Sequence, residues 1–185
     1  MAWTKLTSSD VGAPALTPAN GKMNDVLRWA LPLLGWAIEF GASGNATVFR
    51  AATGNRNRLQ VRHDSAVSGS TGLAMVRGAE TATSATVVGS PFPTVSQLAN
   101  TSATWQITQY DTSVLNHDYV IYGSDTFFYI FIKEQDSGTW GAYFFGDTPT
   151  TFATGSYDTV IRVNAQSLGA QYQIFTDPHY PNLQN

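Results

Sequence analysis

Thr126–Lys133 is the segment that most limits how this chain can fold. Phe127, Tyr129 and Phe131 alternate with Phe128, Ile130 and Ile132, so both parities are apolar or aromatic. Successive side chains of a strand point to opposite faces. A strand apolar on both belongs in the middle of a sheet and is covered on both sides. Charged residues make up only 12% of the 185 positions, and Ser, Thr and aromatic residues fill much of what is left. A chain of that kind reads as mainly β. It holds too many aromatics for disorder and no heptad run for a coiled coil.

Period-two patterning extends on either side of this strand. Ala46–Arg50 and Leu59–His63 flank Thr53-Gly54-Asn55-Arg56-Asn57, a hairpin turn signal. Further strands are expected at Leu73–Ala79, Trp105–Tyr110, Asp118–Tyr122, Trp140–Gly146, Asp158–Asn164 and Gln171–Phe175. Residues 80–104 read as a long connection around Pro91-Phe92-Pro93. The expected architecture is a β-sandwich or meander of about eight strands, with one N-terminal helix and an extended N-terminal arm.

The helix is expected over residues 20–31. Met23, Val26, Leu27 and Ala30 fall on one stripe, and Pro32 disfavours helical geometry at Leu31. Residues 1–18 read as the arm, punctuated by Gly12, Pro14 and Pro18, and residues 19–185 as a single domain. The apolar residues of the arm, Trp3, Leu6, Val11 and Leu16, are expected to dock on a neighbouring protein. Deleting residues 2–16 would then leave the domain folded.

Charge and motif content narrow the chemistry. Net charge is −3, whereas a protein that grips phosphate backbones is usually basic. The balance is uneven: residues before 100 carry eight Lys/Arg and five Asp/Glu, and those after carry two and eight. With no cysteine, disulfides and thiolate sites are excluded. The longest apolar run, Trp29–Ile38, is about ten residues against the roughly 18 that span a bilayer. Met1–Asp10 is polar and unlike a signal peptide.

His63, His117 and His179 show no metal-ligand spacing, and there is no GxSxG elbow, phosphate-binding loop or calcium loop. Asp125, Glu134, Asp136 and Asp147 lie at turns, where solvated carboxylates are the ordinary reading and a glycosidase pair the alternative. Arg50, Arg56, Arg58, Arg62 and Arg77 form one basic concentration, in which Arg56, Arg58 and Arg62 share a strand parity. They read as a solvated face or as a grip on acid groups of a neighbour, with a grip on nucleic acid the less favoured alternative, lowered further by the acidic balance. Tryptophans and tyrosines could build a sugar-stacking platform, although core packing is the simpler use of them.

A larger pattern runs through the first half. Trp3, Ser8-Ser9-Asp10-Val11-Gly12-Ala13-Pro14, Trp36-Ala37-Ile38-Glu39-Phe40, Val48-Phe49-Arg50 and Gly54-Asn55-Arg56 occur in that order. Leu59-Gln60-Val61-Arg62, Met75-Val76-Arg77-Gly78-Ala79-Glu80 and Pro91-Phe92-Pro93-Thr94 follow. Over roughly residues 1–98 this resembles a family of virion structural proteins of tailed bacteriophages.

The resemblance implies a particle component, located in the virion after synthesis in the host cytoplasm. The first expectation is a capsid decoration or cement protein bound to the shell through its arm. The alternative is a tail or baseplate component that contacts host-surface glycans. Partners would be other virion proteins and copies of itself, with no nucleic acid, no cofactor, no metal and no enzymatic activity. The assembly interface would comprise Trp3, Leu6, Val11, Pro14 and Leu16 of the arm and Arg56, Arg58 and Arg62 of the hairpin.

Overall fold

A computed structural model of the chain describes residues 3–68, 72–92, 103–106, 116–133, 138, 140–149, 157–165 and 171–176. The elements, in chain order, are β1 (Thr4–Thr7), α1 (Lys22–Leu33), β2 (Ala37–Phe40), β3 (Ala46–Arg50), β4 (Arg58–Arg62) and the single turn α2 (Ser65–Ser68). They continue with β5 (Leu73–Ala82), β6 (Val88–Phe92), β7 (Ala103–Gln106), β8 (Tyr119–Gly123), β9 (Phe127–Lys133), β10 (Trp140–Pro149), β11 (Tyr157–Ala165) and β12 (Gln171–Thr176).

All pairing is antiparallel and builds two sheets. The first has the order β1-β8-β9-β10-β11-β12, and the second β2-β3-β4-β5-β6 with β7 also paired to β5. The long strand β5 splits its outer edge, giving Leu73–Val76 to β7 and Gly78–Ala82 to β6. The mainly β sandwich is therefore as expected, but with more strands. The additions β1, β2 and β6 are only four or five residues long, too short to show a period. Two of them fall in segments read as an arm and a connection. The expected strand residues 107–110 and the tail 177–185 lie outside the described residues.

One core joins the sheets. From the first sheet come Leu6, Tyr119, Ile121, Phe128, Ile130, Ile132, Tyr143 and Phe145; from the second, Phe49, Leu59, Val61, Ala74, Val76, Phe92 and Trp105. Rings meet across the gap: Trp105 lies edge-on to Phe128 at 5.9 Å, and Phe92 stacks on Phe145 at 6.4 Å. Trp36 enters from the α1–β2 connection, edge-on to Phe128 at 5.6 Å, and its indole N–H donates to Ser124 O at 2.8 Å. That bond satisfies the polar end of a ring that is otherwise in apolar surroundings.

Helix α1 packs its buried stripe of Met23, Val26, Leu27, Ala30 and Leu31 into the same core. It runs two residues beyond the expected end, with Pro32 inside its last turn. The helix then ends in a Schellman motif closed by Gly35, at φ 94°. Trp36 N donates to Leu31 O at 2.9 Å, and Gly35 N to Pro32 O at 3.0 Å. At the other end His63, fully buried, acts as the cap. Its Nδ1 accepts from Met23 N at 3.0 Å and its carbonyl from Gly21 N at 2.8 Å, so two orphan helix donors are satisfied by one residue.

Residues 3–18 are not a free arm. β1 is the edge strand of the first sheet, with Leu6 opposite Ile121 and Lys5 opposite Tyr122. Thr7 and Asp10 then turn the chain: Thr7 N and Oγ1 donate to the Asp10 carboxylate at 2.8 and 2.9 Å. Leu16 forms a bridge with His117 and is fully buried. An apolar extended segment needs a sheet to cover it, and this chain supplies that sheet itself.

Tyr119 fixes the segment chemically, because its hydroxyl donates to Pro14 O at 2.9 Å. Burial, and then the charge of Asp10, push the phenol up to about 12, against about 10 for free tyrosine. A raised folded pKa contributes stability that is complete below the unfolded value and lost as pH rises through the folded one. Unfolding free energy is therefore expected to fall between about pH 10 and 12, and Tyr119→Phe to flatten that part of the curve. Denaturant titrations across this range check it; identical slopes for the two proteins would show that the phenol is not held neutral.

Candidate assembly surfaces

The first sheet presents a row of rings to its outer side. Register aligns Lys5, Tyr122, Tyr129 and Phe144 in one row across four strands, and Thr7, Val120, Phe131 and Ala142 in the next. All of these have the parity opposite to the core residues. Tyr129 lies 4.7 Å from Phe144 and 6.1 Å from Phe131, and Tyr122 is edge-on to Phe131 at 6.2 Å. Trp3 sits edge-on to Phe127 at 4.9 Å while 62% exposed, and the Lys5 ammonium stands 5.7 Å from the Tyr122 ring centre.

β9 was expected to be covered on both sides, and among the described residues its outer side is not. Phe127, Tyr129 and Phe131 are half-buried, shielded mainly by one another, whereas Phe128, Ile130 and Ile132 are buried. Such a contiguous, partly exposed aromatic face, with Phe144 beside it buried, is a candidate contact surface. The alternation in the sequence showed the rings, but not which side would lack a cover.

The second sheet presents arginines. Arg50 pairs with Arg58, Gln60 with Arg77, and Arg62 lies between Ala46 and Met75, so all four guanidiniums share the outward parity. Glu39 falls where the β2–β3 register shifts. Its carboxylate takes Arg58 Nε at 2.7 Å and Nη2 at 2.9 Å and reaches Arg50 at 3.9 Å. Bidentate geometry of this kind is the strong form of the pair. Those hydrogen bonds from Arg58 hold the Glu39 carboxyl below the usual range. Arg58 Nη1 also donates to Glu80 O. Beneath the side chains, Val48, Gln60, Met75 and Ala79 are buried, and Gln60 Nε2 donates to Ala85 O at 2.9 Å from the β5–β6 turn.

The expected interface residues thus divide. Leu6 and Leu16 are core residues and cannot contact a partner. Pro14 is half-buried and its carbonyl is engaged by Tyr119, while Val11 is fully exposed at a turn and Trp3 joins the aromatic face. Arg58 and Arg62 share a face as read from the sequence. Arg56 sits at the exposed hairpin tip with φ 57°, apart from that parity set.

The turn at 53–57 has an internal role. Thr53 Oγ1 donates to Asp125 at 2.8 Å and Asn55 N to Asp147 Oδ2 at 2.5 Å, which clamps the hairpin of one sheet to the other. Asp147 is buried, not a solvated turn carboxylate. Glu134, Asp136 and His179 lie outside the described residues.

Among the described residues, no group of three or more His, Asp or Glu could hold a metal ion, and no helix is long and apolar enough to cross a membrane. His63 is occupied as the helix cap, and His117 Nδ1 lies 3.1 Å from Lys133 O. The fold and surfaces define a two-sheet β-sandwich with an aromatic outer face on one side and an arginine face on the other. No family model, curated protein or solved structure matches the chain.

Proposed function

We propose that this chain is a structural component of a tailed-phage particle, a decoration or cement protein of the capsid shell. The order of motifs over residues 1–98 supports the phage reading. The aromatic outer face of β1, β8 and β9 carries the assembly reading, because the partly exposed rings of Tyr122, Phe127, Tyr129 and Phe131 gain by burial against a neighbour. Burial at about 25 cal/mol per Å² of apolar area drives such binding. Contact runs through Trp3 and this face, not through Leu6 and Leu16.

The test is imaging of particles of a phage encoding the chain, with native protein and with Tyr129→Ser/Phe131→Ser. These rings face outward, so the variant is expected to stay folded and to be missing from particles that carry the native chain over the whole shell. Normal incorporation of the variant, or native particles that lack the chain, would refute the reading. The same rings could instead stack on sugars of a host surface. Density confined to the tail, with binding to a glycan array, would establish that alternative.

A further inference from the structure

We propose that the outer face of the second sheet docks an acidic segment of a neighbouring protein chain, with Arg50, Arg62 and Arg77 as its carboxylate-binding residues. This rests on the assembly reading and names the chemistry of a partner. Register places the three guanidiniums on three successive rows: Arg50 beside Arg58, Arg77 beside Gln60, and Arg62 beside Met75. Rows on one face of a sheet are about 6.6–6.8 Å apart along the strands, which is also the spacing of alternate residues in an extended segment. A segment with an acid at every second position therefore meets one arginine per row.

The donors are waiting for acceptors. Glu39 occupies Arg58 and only just reaches Arg50, at 3.9 Å. Among the described residues, Arg62 and Arg77 have no ion pair. Arg50 Nε and Arg62 Nε are buried and, among the described residues, meet no hydrogen-bond acceptor. A buried donor without a partner is costly, and native structures rarely keep one without a reason. Clustered guanidiniums also repel one another. A bound carboxylate offsets that repulsion, and Glu39 on Arg58 already displays the mode of contact.

Nucleic acid fits less well. The Arg58 and Arg50 side chains are only 15% and 33% exposed, recessed beside Val48 and Ala79, where a slim carboxylate side chain reaches more easily than a phosphate backbone. The chain's net charge of −3 opposes a polyanion at longer range.

The test is fluorescence anisotropy of the full chain with a dye-labelled heptapeptide bearing Glu at alternate positions, at about 50 mM salt so that screening is modest. The controls are the Gln counterpart of the peptide and a labelled oligothymidylate. The Glu peptide is expected to bind and the Gln peptide not to. Arg62→Gln/Arg77→Gln should weaken binding by about tenfold or more, the loss of charge-assisted hydrogen bonds. Thermal melting of the double variant should be unchanged or higher, since among the described residues neither side chain has an ion pair. Binding that ignores the double variant, equal binding of the Gln peptide, or tighter binding of oligothymidylate through the same arginines would each overturn the proposal. Peptide binding by a chain absent from particles would sink the assembly reading alone.

Discussion

A chain lacking residues 2–16 is expected not to fold. The truncation removes β1, the edge strand paired to β8 from Thr4–Gly123 to Thr7–Val120. It removes Leu6 and Leu16 from the core, together with the carbonyl of Pro14 that accepts from buried Tyr119. Loss of a buried leucine to alanine alone costs about 2–5 kcal/mol. Two such losses, with the strand and the Tyr119 bond, consume most of the roughly 5–15 kcal/mol that holds a domain together. Far-UV and near-UV circular dichroism during heating should show no cooperative transition, and backbone amides of β8 should lose their protection from exchange. A truncated chain that melts cooperatively within a few degrees of the full protein would restore the picture of a separable arm.

Gly78→Ala should be the most damaging single-methyl change in the second sheet. Gly78 faces the core opposite Phe92, and a Cβ there would stand 2.0 and 2.1 Å from two ring carbons. No backbone flexibility is at issue; the ring lies over the glycine because there is no side chain to prevent it. Phe92 is fully buried and stacked on Phe145 of the facing sheet, so it can yield only by giving up that contact. Overpacking costs about 1–3 kcal/mol and partial eviction of a core ring adds to it, giving about 3 kcal/mol in all. For a chain of this size the melting temperature should fall by about 6–12 °C. A double-mutant cycle with Phe92→Leu tests the cause, since the smaller side chain should recover part of the loss. Additive effects of the two changes would place the damage elsewhere.

Much of the local structure could be read directly. The alternation of Phe127–Ile132, the hairpin across residues 53–57 and the stripe of α1 are properties of neighbouring residues, and they form a strand, a hairpin and a helix as their spacing dictates, although the cover of β9 and the end of α1 differ from expectation. The common face of Arg58 and Arg62 was legible for the same reason, since parity within one strand needs no knowledge of its neighbours. Arg50 and Arg77 joined that face only through pairing across three strands. Glu39 reached Arg58 through a register shift that no spacing announces.

The sequence by itself determined the class of fold and which side chains are apolar, cationic or turn-forming, because periodicity and composition act over a few residues. Only the tertiary structure decided what covers what. Leu6 meets Ile121 and Asp147 meets Asn55 from about half the chain's length away or more, so an apparent arm became an edge strand and an apparent solvated acid became a clamp. Those outcomes depend on long-range closure, in which a strand's partner is chosen by the apolar surface it can bury and not by its own pattern.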